Sequence, residues 1–254
     1  MRIFFISLGV FFIFCPSVFG FNPPEKMSAE ELKLADELFD DAKYQDTVYF
    51  LEKLSDKNSV EVQWRFARAV FFVSKQIQDG DQKEKLVREA FDYACKALEL
   101  DDANFGANKW YGAILSEKSN FDGMTERIKQ LDNVKKHFSK AKDANPEDPG
   151  IWHMLGQFNF KLSEVNWVTR KLINSIAPNP PTASYEEALE CFEKAENMKP
   201  GFYSQNQLFL GKTYLALKQK DKAREWFQKA SEVEVRSEDD RVCRQEASEA
   251  LKKL

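Results

Sequence analysis

The sequence predicts an all-α protein: a superhelical solenoid of about five helical hairpins, closed by a C-terminal capping helix. Three observations predict it. In Gln207–Ala230, QLFLGKTYLALKQKDKAREWFQKA, Leu210, Gly211 and Tyr214 share one face of a first helix. Ala223, Phe227 and Ala230 make a small-large-small stripe on a second, and Gln219–Asp221 form the polar turn between them. The pattern also recurs upstream. Second-helix stripes are Thr47-Leu51-Leu54, Ala90-Ala94-Ala97, Val134-Phe138-Ala141 and Ala188-Phe192-Ala195, the last three followed by Asp102, Pro146 and Pro200. The matching first-helix halves are Leu34-Ala35-Leu38, Ala67-Arg68-Phe71, Tyr111-Gly112-Leu115 and Leu155-Gly156-Asn159. Finally, with only 10 glycines and 9 prolines in 254 residues, the chain is neither loop-rich nor low in complexity.

The spacing is that of a tetratricopeptide repeat, and a lone hairpin of this kind cannot bury its own apolar face, so stacking is implied. The middle three units are longer than the ideal, by about ten residues in the second and third and about twenty in the fourth; such excess maps to inter-helix loops or helix extensions.

Taken in order, residues 1–20 read as a targeting segment. Arg2 precedes the apolar run Ile3–Phe14, Pro16 breaks it, and Val18-Phe19-Gly20 suits signal cleavage after Gly20; an uncleaved membrane anchor is the rival reading. Residues 21–27 form a linker, and the helical domain occupies 28–254. Ser28 caps the first helix with Glu31 as a capping box. Helices are expected over 28–39, 44–54, 60–75, 83–100, 106–118 and 127–145. Pro149 starts the next, which carries Trp152, Leu155 and Phe158. The insertion Glu164–Ala183 holds a short extra helix at Trp167–Ile176, Ser184 caps Tyr185–Met198, and Glu238–Leu254 is the cap of the solenoid.

Net charge is −4, which gives no global basic field for nucleic acid or anionic lipid. Charge is uneven. Ser28–Asp46 is acidic and Arg127–Lys142 is basic; both read as solvated helix faces, and the sharper reading is that the basic stretch meets an acidic partner. The four cysteines follow no disulfide or zinc spacing, and Cys95 and Cys191 read as buried thiols. His137 and His153 have no companion at ligand spacing and read as helix-surface or inter-helix residues. No phosphate-binding glycine loop, nucleophile elbow, zinc-helix motif or calcium loop occurs, so the expectation is a non-enzyme without a cofactor or metal.

Several strings carry a more specific likeness: VEVQWRFARA at Val60–Ala69, KLVREAFDYACKALEL at Lys85–Leu100, NKWYGAILSE at Asn108–Glu117, and Ile128–Pro149. Further on come Trp152–Gly156, PPTASYEEALECFE at Pro180–Glu193, and Phe202–Ala230. By these the chain resembles the regulator of microtubule dynamics family, from about Leu34 onward. The resemblance implies association with microtubules and spindle poles, a cytoplasmic and cytoskeletal location, and support of chromosome segregation. Some relatives carry an N-terminal membrane anchor. The family offers no catalytic residues.

Two functions are expected from this. The first is a cytosol-facing module that meets acidic tubulin through Arg127, Lys129, Lys135, Lys136 and Lys140, with Arg170 and Lys171 second. The second is a membrane-linked tether or lipid carrier with an apolar groove of Trp110, Trp152, Phe158 and Trp167. A lumenal or secreted scaffold is the third expectation, should residues 1–20 be cleaved.

Overall fold

The structure, a computed structural model, describes residues 28–177 and 179–254. The segments expected to target or anchor the chain (1–20) and to link it (21–27) lie outside the described residues. No helix among the described residues is long and apolar enough to cross a membrane.

Twelve helices follow one another among the described residues: α1 (Ala29–Asp40), α2 (Tyr44–Leu51), α3 (Val60–Gln76), α4 (Gly80–Leu100), α5 (Phe105–Phe121), α6 (Met124–Ala144), α7 (Pro149–Ser163), α8 (Trp167–Ile176), α9 (Tyr185–Met198), α10 (Ser204–Ala216), α11 (Lys220–Ser231) and α12 (Glu238–Leu251). Their starts follow local side-chain chemistry. Ser28, Ser184 and Ser237 each accept the N3 amide while the N3 carboxylate reaches back to the cap. Pro149 occupies the first turn of α7 behind the Asp148 cap.

Some boundaries differ from the sequence expectation, for identifiable reasons. The fourth helix starts at Gly80 rather than Lys83, because the Asp79 side chain accepts from Gln82 N and caps it earlier. Asn104 likewise caps α5 one residue early. The sixth helix starts at Met124, straight after Gly123 at φ 91°. The α10–α11 turn is Leu217–Gln219, with Lys218 at φ 63°.

Pairing is antiparallel neighbour to neighbour: α1 with α2, α3 with α4, α5 with α6, α7 with α9, α10 with α11, and α12 on both α10 and α11. The excess length of units two and three is helix rather than loop, since α4 and α6 each reach 21 residues. In unit four it is α8, which packs on α6.

One contact recurs in three hairpins. A Cβ on Gly112 would lie 2.8 Å from the Phe138 ring, on Gly156 2.6 Å from Phe192, and on Gly211 2.6 Å from Phe227. The bare glycine backbone is what admits the ring. Phe192 and Phe227 are fully buried there, between alanines on the adjacent turns. In unit two the register of the sequence alignment is corrected. Ala67, not Arg68, enters the cluster with Ala90 and Ala94. Arg68 instead turns its guanidinium 3.8 Å above the Phe39 ring and 2.6 Å from Asp36. Arg65 binds the same carboxylate with two nitrogens, at 2.7 and 3.0 Å. Asp36, grouped by sequence with solvated acids, therefore pins α1 to α3, and the guanidinium partners overcome its burial to hold its pKa below the usual range.

Both histidines bridge helices. His137 Nδ1 lies 2.8 Å from Asn108 Oδ1, and His153 Nδ1 lies 3.1 Å from Asn206 Oδ1. Asn206 donates its amide N–H groups to Phe192 O and Glu196 Oε2, so its oxygen is the acceptor and His153 carries its proton on Nδ1. Burial, first of all, pushes each imidazole from about 6.5 down to about 4; for His137 the nearby Lys140 and Lys136 add to this.

Three outcomes follow from this packing. Gly156→Val will force the Phe192 ring out of its seat and lower stability by about 1–3 kcal/mol, read by urea denaturation. Asp36→Ala leaves the buried Arg68 guanidinium without its carboxylate and Arg65 with Glu61 alone; because Asp36 retains some solvent contact and Arg65 keeps a partner, the loss will fall at the lower end of the about 3–5 kcal/mol typical of a broken buried pair. The unfolded histidines bind protons between pH 6.5 and 4 while the folded ones do not. Stability is thus full above 6.5 and falls as pH drops through this window, by about 1.4 kcal/mol per unit of pKa gap. His153→Gln will flatten that slope in urea midpoints measured across the window.

Candidate functional site

The hairpins curl until the start of α12 reaches the first two units. Lys75 Nζ lies 3.5 Å from Asp239 Oδ2, across 164 positions of sequence, and Tyr203 donates its hydroxyl to the same carboxylate at 2.8 Å. The curl shapes a half-open lumen of about 1400 Å³, walled by the inner faces of α3, α5 and α7, the start of α6 and the entry to α10.

Its floor is apolar, with Phe71, Trp110, Ile128, Met154 and Phe158. Cations rise from the floor. Lys109 pairs with Asp148 at 2.8 Å, and burial pulls its pKa down despite that partner. Lys161 and Arg127 line the lumen without an ion pair among the described residues. Lys161 keeps water contact within the lumen, yet the enclosing walls depress its pKa, and Arg127 and Lys75 push the same way. His153 sits among Lys75, Lys161 and Lys109, all close enough to help keep it neutral.

The residues expected to form a basic patch do not stay together. Arg127 faces the lumen. Lys129, Lys136 and Lys140 fall at i, i+7 and i+11 of α6, opposite its buried Ile128, Val134, Phe138 and Ala141, and so form an outward stripe. Within it Lys129 meets Glu126 at 3.5 Å and Lys140 meets Asp102 at 3.3 Å, both in water; Lys136 has no ion pair among the described residues. Lys135 donates to Thr182 O at 3.4 Å. Arg170 donates to Leu162 O at 2.7 Å, which fixes α8 to the end of α7, and Lys171 lies over the Trp167 ring.

The expected aromatic groove also divides. Trp110 and Phe158 line the lumen. Trp152 does not: it donates its indole N–H to Pro146 O and packs under Lys194, 3.9 Å from the ring centre. Trp167 stands 69% exposed on α8, away from the lumen. Sequence reasoning missed Lys109, Lys161, His153 and Gln207. The only signal for them was polar residues on the inner side of first helices, where a hairpin has no partner helix to cover them.

The thiols are unsuited to nucleophilic chemistry. Cys191 and Cys243 are buried and pushed up to about 11, and Cys95 is half-buried and also raised. Among the described residues no group of three or more His, Cys, Asp or Glu stands at metal-binding distance.

Known proteins agree with this architecture. A thermophilic tetratricopeptide protein of Thermus thermophilus superposes with a TM-score of 0.55 at 15% identity, covering 87% of this chain and 97% of its own. PilF of Pseudomonas aeruginosa gives 0.52 at 15% identity, covering 88% and 90%. Sequence relatives are nearer. "Regulator of microtubule dynamics protein 1" of Pongo abelii is 34% identical, over 87% of this chain and 71% of its own length; the Homo sapiens protein of the same name is 36% identical over 74% and 60%. "Regulator of microtubule dynamics protein 3" of Xenopus laevis is 30% identical over 71% and 39%. The family model for regulator of microtubule dynamics proteins 1-3 matches residues 32–254. Nearly the whole helical array is thus accounted for, and the chain belongs to the regulator of microtubule dynamics protein 1-3 family.

Proposed function

We propose that this chain is a non-enzymatic interaction protein acting in microtubule regulation, and that it meets the acidic surface of the microtubule through the outward lysine stripe of α6. The observation that carries this reading is the placement of Lys129, Lys136 and Lys140. All three lie on the solvent side of one long helix, held at most by weak pairs in water. Such a stripe steers an anionic partner and loses little by doing so, because it buries no charge in the free protein. The names of the relatives support the microtubule side of the reading. The finer role, at spindle poles in support of chromosome segregation, is the one the family resemblance favours; a tagged full chain followed through mitosis tests it, and absence from the spindle would remove it.

The triple change Lys129→Gln, Lys136→Gln and Lys140→Gln will weaken co-sedimentation with microtubules several-fold and flatten its dependence on salt. Lys171→Gln, on α8, will leave both unchanged. Equal pelleting of the triple variant and wild type at every salt concentration would discard the stripe as the contact.

A further inference from the structure

Helix α8 stands outside the five hairpins, resting on α6 and tied to the end of α7 through Arg170. Its apolar side is only half covered. Ile173 is 3% exposed and joins the core cluster of Ile128 and Leu162. Trp167, Val168 and Leu172 are 69%, 56% and 43% exposed. Large apolar residues exposed singly are ordinary on a protein surface, but three on one short helix form a patch. Lys171 shares their face, one turn on from Trp167, with its Nζ 4.9 Å from the indole centre. Charge within the segment is of one sign. Between Glu164 and Glu186 the sequence holds Arg170 and Lys171 and no acid, although the whole chain carries 41 Asp and Glu and a net charge of −4. Lys135 of α6 adds a third cation there, donating to Thr182 O.

We infer that the outer face of α8 docks the protein on an anionic phospholipid surface. Trp167, Val168 and Leu172 would enter the boundary between headgroups and acyl chains, while Lys171 stays with the phosphates and lays its stem along the indole. An indole suits that boundary, being apolar in body with an N–H to donate. A lipid surface meets apolar and cationic side chains together. A purely acidic protein surface, of the kind proposed for the α6 stripe, would satisfy Lys171 and leave the three apolar side chains in water. A protein with an apolar contact of its own would need a groove matched to this projecting crest, whereas fluid lipid closes round a crest without one. Trp167, Val168, Lys171 and Leu172 do not line the lumen, so this face is a separate surface.

The test adds the full chain to vesicles of three parts phosphatidylcholine to one part phosphatidylserine, brominated on the acyl chains so that they quench a tryptophan that enters them. Wild-type emission is expected to fall, and the fall to disappear in Trp167→Phe. Because the readout is Trp167 itself, vesicle binding through the apolar run Ile3–Phe14 would not produce that difference. The lipid concentration for half-maximal quenching should rise at least about tenfold in the double variant Val168→Ser, Leu172→Ser. It should rise about fivefold in Lys171→Gln, and on adding salt or omitting phosphatidylserine. All these positions are exposed, so Tm should stay at the wild-type value and a loss of quenching cannot be a loss of fold. Equal quenching of wild type and Trp167→Phe would overturn the inference. So would equal quenching on phosphatidylcholine alone, or α8 variants that keep wild-type vesicle behaviour while losing a protein partner.

Discussion

A phenyl ring seated on a bare glycine backbone sets the geometry of this protein. At Gly112 and Phe138, Gly156 and Phe192, and Gly211 and Phe227 the second helix of a hairpin approaches the first more closely than any side chain would allow. Small residues on the neighbouring turns, such as Ala188 and Ala195 around Phe192, let the ring sink fully. Three hairpins thus share one spacing, and shared spacing between stacked hairpins produces a regular curl. The lumen exists because that curl repeats. The pairing of Lys75 with Asp239 is where the last helix meets the first two units.

The resulting molecule presents two cationic regions of different character. The α6 lysines lie on the solvent side, Lys129 and Lys136 exposed and Lys140 partly so, and they therefore act at long range and respond to salt. Among the lumen cations Lys109 is largely buried and paired with Asp148, whereas Lys161 and Arg127 keep contact with water; the surrounding protein lowers the pKa of Lys109 and Lys161. Enclosed charges and unpaired polar atoms lower stability. Elsewhere most buried polar groups are paired, Gln63 Oε1 excepted: Asp36 pairs with Arg65 and Arg68, and Asn206 uses both its amide hydrogens and its oxygen.

Much of the fold was legible in sequence. The extra helix Trp167–Ile176, the helix Tyr185–Met198 and the Ser28 capping box all sit where spacing and cap chemistry put them. Helix starts were misjudged where a cap lay further upstream than the first apolar residue, as at Asp79. The site was less legible. Arg127 and Lys129 are two residues apart, which on a helix turns them to opposite sides, so a basic run in sequence became one lumen residue and an outer stripe. Trp152 and Trp167 share composition with Trp110 and Phe158 but not direction.

The sequence by itself determined the all-helical class, the five hairpins and the cap, because periodicity, capping and glycine placement are local; family membership rests on the likeness of longer strings, matched over residues 32–254. Only the tertiary structure decided the lumen. Its wall joins Arg68, His153, Lys161 and Gln207 from α3, α7 and α10, and its closure joins Lys75 to Asp239. Those proximities depend on the accumulated rotation of several hairpins, a sum of small packing angles that no single stretch of sequence encodes.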